Sequence, residues 1–442
     1  MQRRNFLKTG LAGLGATSLG PQVLAGTPPV EEKAAAPLYP SYGAFEKAYA
    51  GHVAPGHVKY LERSGATLVP GKTEGVRIQD AYTGKWYWDC HRVGSLYNLG
   101  HRHPEVIKAL RAGFEQLEIG NAFYLSQYKA HAAQRLSATT DDALSGVVYA
   151  ASGTEAVEVS IKAARGITRR RKIVSLQHAY HGHSIMTIAA GGELHAQERF
   201  LADYPEEFTH VPWNDYAALE KVVDDETAAV LLEPMPAAIG CPPPLPGYLK
   251  QVEKLCHERG ALLILDEIVT GVGGTGTFWL YQQEDILPDI LTTAKGIAGG
   301  MQANAAALMK PELFQWMADD ALLPHYTTFG GNELGCVATV ATCDVVTAPG
   351  FLDHVNELAL HFSEGFASLP FGTTQRGLFI AFHLPAPRSV EFVRRLFENG
   401  VLVLGRTETI VLFRPPLITS FTEADAIIGL VQNVSRQMFP ST

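Results

Sequence analysis

The stretch Leu262-Leu263-Ile264-Leu265-Asp266-Glu267 runs an apolar segment directly into two carboxylates. A second short run, Ile290-Leu291, leads into Thr292-Thr293-Ala294-Lys295-Gly296. Each run reads as a buried strand, so an acid and a lysine stand at two strand exits, 29 residues apart. In open α/β sheets ligands bind beyond the carboxyl ends of the strands. Taken alone the pair is ordinary, because most lysines are solvated and most acids beside a strand are caps or turn residues.

Working outward, the same arrangement recurs. Residues 147–150 form a strand candidate that opens through Ala151-Ser152-Gly153-Thr154-Glu155 into a helix to about residue 165. A small-residue loop before a helix offers free N–H groups and the positive end of the dipole to an anion. The same residues would serve equally as an ordinary N-cap. Residues 172–176 lead into Ala179-Tyr180-His181-Gly182-His183, where a tyrosine could stack on a flat ring or simply fill the core. Residues 228–232 end in Glu233-Pro234. Strands alternating with helices imply a mostly parallel sheet flanked by helices. The fold class is therefore α/β, with Ser152/Thr154, Tyr180, Glu233, Asp266 and Lys295 on one sheet edge. Convergence of this kind suits a cofactor that needs an anion at one end and an amine at the other. Pyridoxal 5'-phosphate (PLP) is such a cofactor.

Bulk properties narrow the alternatives. With 442 residues, 46% hydrophobic and 18% charged, the chain can bury a large core and form more than one domain. A net charge of −9 argues against a nucleic-acid partner. The basic cluster Arg169-Arg170-Arg171-Lys172 reads as a solvated helix end. The five cysteines contain no C-x-x-C pair and suggest neither a metal site nor a disulfide framework. His101 with His103, and His178, His181 and His183, lack acids at matching spacing, so no metal is expected.

The N-terminus carries Arg3-Arg4-Asn5-Phe6-Leu7-Lys8, a Gly-rich apolar stretch, and small residues near Ala25. This pattern resembles a twin-arginine (Tat) export signal over 1–25. It implies passage through the Tat translocase to the periplasm as a folded protein. No stretch supports a stable membrane span. A linker and N-terminal segment follow over 26–95, with a hairpin expected around Thr83-Gly84. A large domain is expected over 96–345, its first helix opening at Pro104. A smaller α/β domain is expected over 346–442, with strands at 377–384, 401–404 and 410–413, a helix at 389–399, and a capping box, Ser420 to Glu423, before the last helix.

Taken in order, GHRHPEV (100–106), SGTEAVE (152–158), AYHGHS (179–184), LLEP (231–234), LILDEIVTG (263–271), TTAKG (292–296), TTFGGN (327–332) and RPPL (414–417) resemble the class III aminotransferases, PLP enzymes of fold type I. The resemblance implies Lys295 as the Schiff-base lysine and proton carrier, and Asp266 as partner of the pyridine nitrogen. It places Val269 and Tyr180 on the two faces of the ring, Glu233 beside it, and Ser152, Gly153 and Thr154 on the phosphate. It also implies a homodimer with sites at the subunit interface, Thr328 reaching the neighbour's phosphate. Departures accompany it. An arginine common three residues before the Pro-Pro pair is Leu412 here, and its usual glutamate partner is Ala238. Arg414 could substitute, although it was expected to face away. The segments around Glu233 and at 164–173 look more like the glutamate-1-semialdehyde aminomutases. Export instead resembles the periplasmic branch of pyoverdine maturation, whose substrate is the glutamyl side chain of a siderophore peptide. A catalytically idle PLP-fold binding protein is the remaining alternative.

Overall fold

Side chains alternate across the central sheet, and the alternation decides which acid reaches the cleft. The computed structural model describes residues 37–120, 124–317 and 325–440. Strands β1 (Pro70–Glu74), β2 (Arg77–Asp80) and β3 (Trp86–Asp89) open the chain's sheets. Strands β4 (Gly146–Ala150), β5 (Lys172–Leu176), β6 (Phe208–Val211), β7 (Thr227–Leu232), β8 (Leu262–Asp266), β9 (Ile290–Thr293) and β10 (Ala305–Met309) follow. They form one sheet in the order β4-β10-β9-β8-β7-β5-β6. All neighbours are parallel except at β10, which runs antiparallel to β4 and β9. The carboxyl ends of β4, β5, β7, β8 and β9 therefore share one edge. β10 is reversed, so it begins there, at Asn304-Ala305.

Both faces of this sheet are covered, as its continuous apolar strands require. Val230, Leu232, Leu263, Leu265 and Leu291 pack into one hydrophobic cluster. Ala229, Leu231, Ile264 and Ile290 pack into the other, against the helix Gly153–Thr168. Successive strand residues point to opposite faces, so Asp266 continues the row of Ile264 and Glu267 continues that of Leu265. Glu267 is fully buried and accepts hydrogen bonds from Leu280 N (2.7 Å), Tyr281 N (2.9 Å) and Thr270 Oγ1 (2.9 Å). It pins the following loop; Asp266 is the one left for the cleft.

The C-terminal part adds β11 (Gly372–Arg376), β12 (Phe379–His383), β13 (Val401–Leu402), β14 (Leu404–Gly405) and β15 (Ile410–Phe413). The strand expected at 401–404 is two strands in different sheets. β13 pairs with β3 and β14 pairs with β15. The chain crosses between sheets at Val403, tying the N-terminal hairpin to the C-terminal sheet. Cys90 N donates to Leu402 O (2.9 Å) and Arg414 N to Cys90 O (2.7 Å), which seals that junction.

Other expectations need correction. Helices Tyr42–His52 and Pro55–Ser64 lie where only linker and hairpin were read; neither has a fully buried residue, so neither presents an apolar stripe. β6 was also unread. In the basic cluster at 169–172, Arg169 and Arg171 are exposed where the helix Gly153–Thr168 ends, as expected, but Arg170 and Lys172 are engaged. Arg170 donates to Thr227 O (3.1 Å), Arg259 O (2.7 Å) and Gly260 O (3.0 Å), closing the end of the helix Tyr248–Glu258. Lys172 pairs with Asp224 at 2.6 Å. The export signal lies outside the described residues. Among the described residues, no single helix is long and apolar enough to cross a membrane.

Hydrogen bonds from a charged donor contribute about 1.5–3 kcal/mol each when partly shielded, and removing one donor leaves several carbonyls short. We expect Arg170→Ala to lower stability by about 1–3 kcal/mol in urea unfolding while leaving the active-site chemistry intact. An unchanged midpoint would show that the cap contributes nothing.

Candidate active site

A cleft of about 280 Å³ opens at the shared strand edge. Its walls include Ser152, Gly153 and Thr154 from the exit of β4, Tyr180 from β5, Glu233 from β7, Asp266 and Val269 from β8, and Lys295 from β9. The sequence thus brings eight expected residues to one cavity. Thr328 is not among them. It is exposed in the 325–332 loop, outside the cleft of its own chain.

Asp266 is 3% exposed, and a polar group buried so deeply must find hydrogen-bond donors. Its Oδ1 accepts from Ile268 N (3.1 Å) and Thr292 Oγ1 (3.1 Å). Its Oδ2 lies 2.7 Å from His181 Nδ1. An ionised carboxylate has no proton to give, so Nδ1 carries it, and Nε2 is free to accept from Ser175 Oγ at 3.4 Å. His181 is 2% exposed and lines the cleft. The sequence reading passed over it as one of three loop histidines. Its signal was position: His181 is the neighbour of a tyrosine already placed at a strand exit.

Glu233 is also buried and anchors the Tyr180 loop, accepting from Tyr180 N (2.8 Å) and Ala237 N (3.1 Å). Burial pushes its carboxyl above the usual range; nearby His181 opposes that and Asp266 adds to it. Lys295 sits in a left-handed turn, φ 48°, a strained conformation for a side-chain-bearing residue. Burial pushes its amine below the ordinary lysine range, while Asp266 and Glu233 pull it back and Arg414 pushes it further down. Among the described residues nothing takes a hydrogen bond from its Nζ. A half-buried amine that faces the cleft without a partner is placed for nucleophilic and proton-transfer work.

The phosphate end is a helix N-terminus. Ser152 is the N-cap and accepts from Glu155 N at 3.2 Å. A Cβ at Gly153 would stand 2.9 Å from Ile268 Cδ1, and one at Gly182 would collide with the Thr154 side chain. Both glycines are required for these loops to close around the cleft. The residues fit PLP: a helix N-terminus for the phosphate, an unpaired amine for the aldehyde, and a fixed carboxylate for the ring nitrogen.

The model of the aminotransferase class-III family matches residues 60–434. The chain belongs to that family. An uncharacterised aminotransferase of Archaeoglobus fulgidus is 35% identical over 398 residues, covering 86% of this chain and 91% of that protein. An acetylornithine aminotransferase of Methanosarcina mazei is 32% identical, covering 83% and 91%. Among solved structures, a taurine:2-oxoglutarate aminotransferase of Bifidobacterium kashiwanohense, complexed with PLP and glutamate, superposes with TM-score 0.77 at 25% identity, covering 84% of this chain and 93% of that one. An ornithine aminotransferase of Toxoplasma gondii gives TM-score 0.81 at 24% identity, covering 91% and 96%, a likeness of fold. The protein is thus a PLP-dependent class III aminotransferase of fold type I, a family commonly found as homodimers.

Two of the histidines in the loops pair with acids, His181 with Asp266 and His101 with Asp89. His101 bonds Asp89 at 2.9 Å, and among the described residues no group of His, Cys, Asp or Glu is placed to hold a metal. The five cysteines are free and buried.

Two outcomes follow for this class III enzyme. His181→Phe removes a hydrogen bond to a buried charge, a loss of about 1.5–3 kcal/mol. If that loss falls on the reacting state, kcat drops about 10- to 100-fold, with the unfolding midpoint as control; unchanged kcat would remove His181 from the site. The second concerns His91. Burial first, then Arg414, hold it down at about 4, below the ordinary value of 6.5. The folded state keeps it neutral while the unfolded chain takes a proton below about pH 6.5. Stability is therefore full above that pH and falls by up to about 3 kcal/mol as pH drops toward 4. His91→Gln should flatten this dependence in unfolding measurements from pH 7 to 4; a parallel curve would contradict it.

Proposed function

We propose that this class III aminotransferase is exported by the Tat route to the periplasm and there converts the glutamyl side chain of a pyoverdine siderophore to a keto acid. The observation that carries the proposal is the pairing of the R-R-x-F-L-K leader with an intact aminotransferase cleft. The replacement of the familiar arginine–glutamate pair by Leu412 and Ala238 supports it, since that pair serves small free amino acids in many relatives. Leu412 is fully buried in β15 opposite Ala381 and Leu404, and offers the cleft no charge.

In this reading bound PLP supplies an aldehyde and an electron-accepting ring. Lys295 would hold the cofactor through its Nζ and would serve as the group that carries a proton at the donor's Cα. Burial lowers its proton affinity, the direction that favours a base. Asp266, held by His181, Thr292 and the Ile268 N–H, would pair with the ring nitrogen. Ser152, Gly153 and Thr154 would hold the phosphate, Tyr180 and Val269 would flank the ring, and Glu233 holds the Tyr180 backbone in position. In a homodimer, Thr328 would complete the partner's phosphate site. The large domain over 96–345 carries the cofactor, and the part over 346–442 closes the substrate side.

The test is direct. Purified holoenzyme given a glutamyl-bearing pyoverdine and a keto-acid acceptor should release the keto-acid siderophore, and Lys295→Ala should lower that rate at least about 1000-fold, as expected where a covalent anchor and base are lost together. A strain lacking the gene that still secretes the keto-acid form would end the proposal. A visible band that shifts with donor while no keto acid forms would instead favour an aminomutase. Arg3→Lys with Arg4→Lys should retain the protein in the cytoplasm; normal export of that variant would remove the periplasmic assignment.

A further inference from the structure

Loss of the Leu412 and Ala238 charges leaves the donor's carboxylate without its familiar partner, yet the chain holds a cluster of cations nearby that nothing neutralises. Arg414 follows β15 and is 3% exposed. Its Nε is buried without a hydrogen-bond partner, and no described residue accepts from its guanidinium. Arg406, which follows β14, and Arg92, which follows β3, have buried Nε atoms in the same state. The junction of the two sheets brings them together. Arg414 N donates to Cys90 O at 2.7 Å, two residues from Arg92, and Arg406 N donates to Ile410 O at 2.9 Å on the strand that ends beside Arg414.

Their charges also converge. All three act on His91 and on the buried Cys241. Arg414 acts on Lys295 and Arg406 on Tyr180, two walls of the cleft. The turn carrying Arg92 passes directly over the lysine: a Cβ at Gly94 would lie 3.7 Å from Lys295 Cε. That turn is strained, with Arg92, Val93, Gly94 and Ser95 all at positive φ (52°, 45°, 66° and 77°). Strain at three side-chain-bearing positions within four residues, Arg92, Val93 and Ser95, persists only where the surroundings enforce it.

The nearest acid does not balance the cluster. Asp89 is fully buried but spent on His101 Nε2 (2.9 Å), His91 N (3.0 Å) and Arg92 N (2.9 Å). Arg92 has partial satisfaction through Asn98 Oδ1 at 3.1 Å and the face of Phe379. Arg414 has none. A buried guanidinium with no acceptor is costly, and its five donors in a fixed fork match a carboxylate bidentately.

We propose that Arg414, flanked by Arg406 and Arg92, is the subsite that grips the carboxylate of the amino donor. The grip has moved two residues along the chain from position 412 to 414. The donor class is thus an α-amino acid moiety with a free carboxylate, not a simple amine. This rests on the aminotransferase reading of the cleft, and it fits a glutamyl donor.

The experiment uses holoenzyme and glutarate, a dicarboxylate that carries no amino group, with neutral glutaramide as control. Calorimetry on the wild type should show saturable glutarate binding and none of glutaramide. Arg414→Gln should weaken glutarate about 30-fold or more, the range for removing one partner of a buried charge pair. Arg414→Lys, which keeps the charge but not the fork, should recover part of that loss. Arg414→Met, free of glutarate, should unfold at the same or a higher temperature than wild type, because the uncompensated charge is gone. Four results would overturn the proposal: no glutarate binding by wild type; unchanged affinity in Arg414→Gln; loss of the visible cofactor band in Arg414→Gln, which would put Arg414 on the phosphate; or a lower ligand-free unfolding temperature in Arg414→Met, which would make it structural. If glutarate binding depends on Arg414 but the siderophore is not converted, the subsite stands and the siderophore reading falls. The reverse result removes the subsite alone.

Discussion

A carboxylate at the end of a fully buried strand has to be paired or it will take a proton, and the rest of the cleft follows from that requirement. Asp266 is held by a histidine, a threonine and a backbone N–H, each from a different segment. Those three donors align β8 with β9 and with the loop after β5. The same loop carries Tyr180, which Glu233 fixes from β7. Four strand exits are thereby locked to one another through two acids. Ionised acids in low dielectric hold their donors more firmly than neutral groups would. The geometry needed to protonate a ring nitrogen is therefore the geometry that also organises the sheet edge.

Much of this was legible in the sequence, for a simple reason. Strands buried on both faces are short, continuous apolar runs, and each ends where the first polar residue appears. That made β4, β5, β7, β8 and β9 readable and put their exit residues in the cleft. The alternation rule even separates Asp266 from Glu267, although both look alike in the string of letters. What could not be read depends on contacts between distant segments. His181 earns its place only by meeting Asp266, 85 positions away. Arg170 looked solvated because its carbonyl partners lie 57 to 90 positions off. The split at Val403 was hidden because a run of four apolar residues carries no sign that it changes sheets.

The arginines show the same limit from the other side. Arg414 stands two residues beyond Leu412, so strand alternation puts the two on one face, and the expectation that Arg414 faces away misapplied that rule. The strand itself stops one residue earlier, at Phe413. Past a strand end, direction is set by what the backbone bonds to, here Cys90 of the N-terminal segment. Pro415 and Pro416 reinforce the break, since neither can donate to a sheet ladder.

Charge balance then gives the cleft a direction. Asp266 and Glu233 lie on the side of the strand exits, the arginines lie on the side of the sheet junction, and Lys295 feels both. The acids favour its protonated form, whereas burial and Arg414 favour the neutral one. An anion arriving at Arg414 would cancel part of the second influence, so the amine's proton affinity would rise as the donor's carboxylate settles. The two acids and the arginines therefore act on Lys295 in opposite directions, from opposite sides of the cleft.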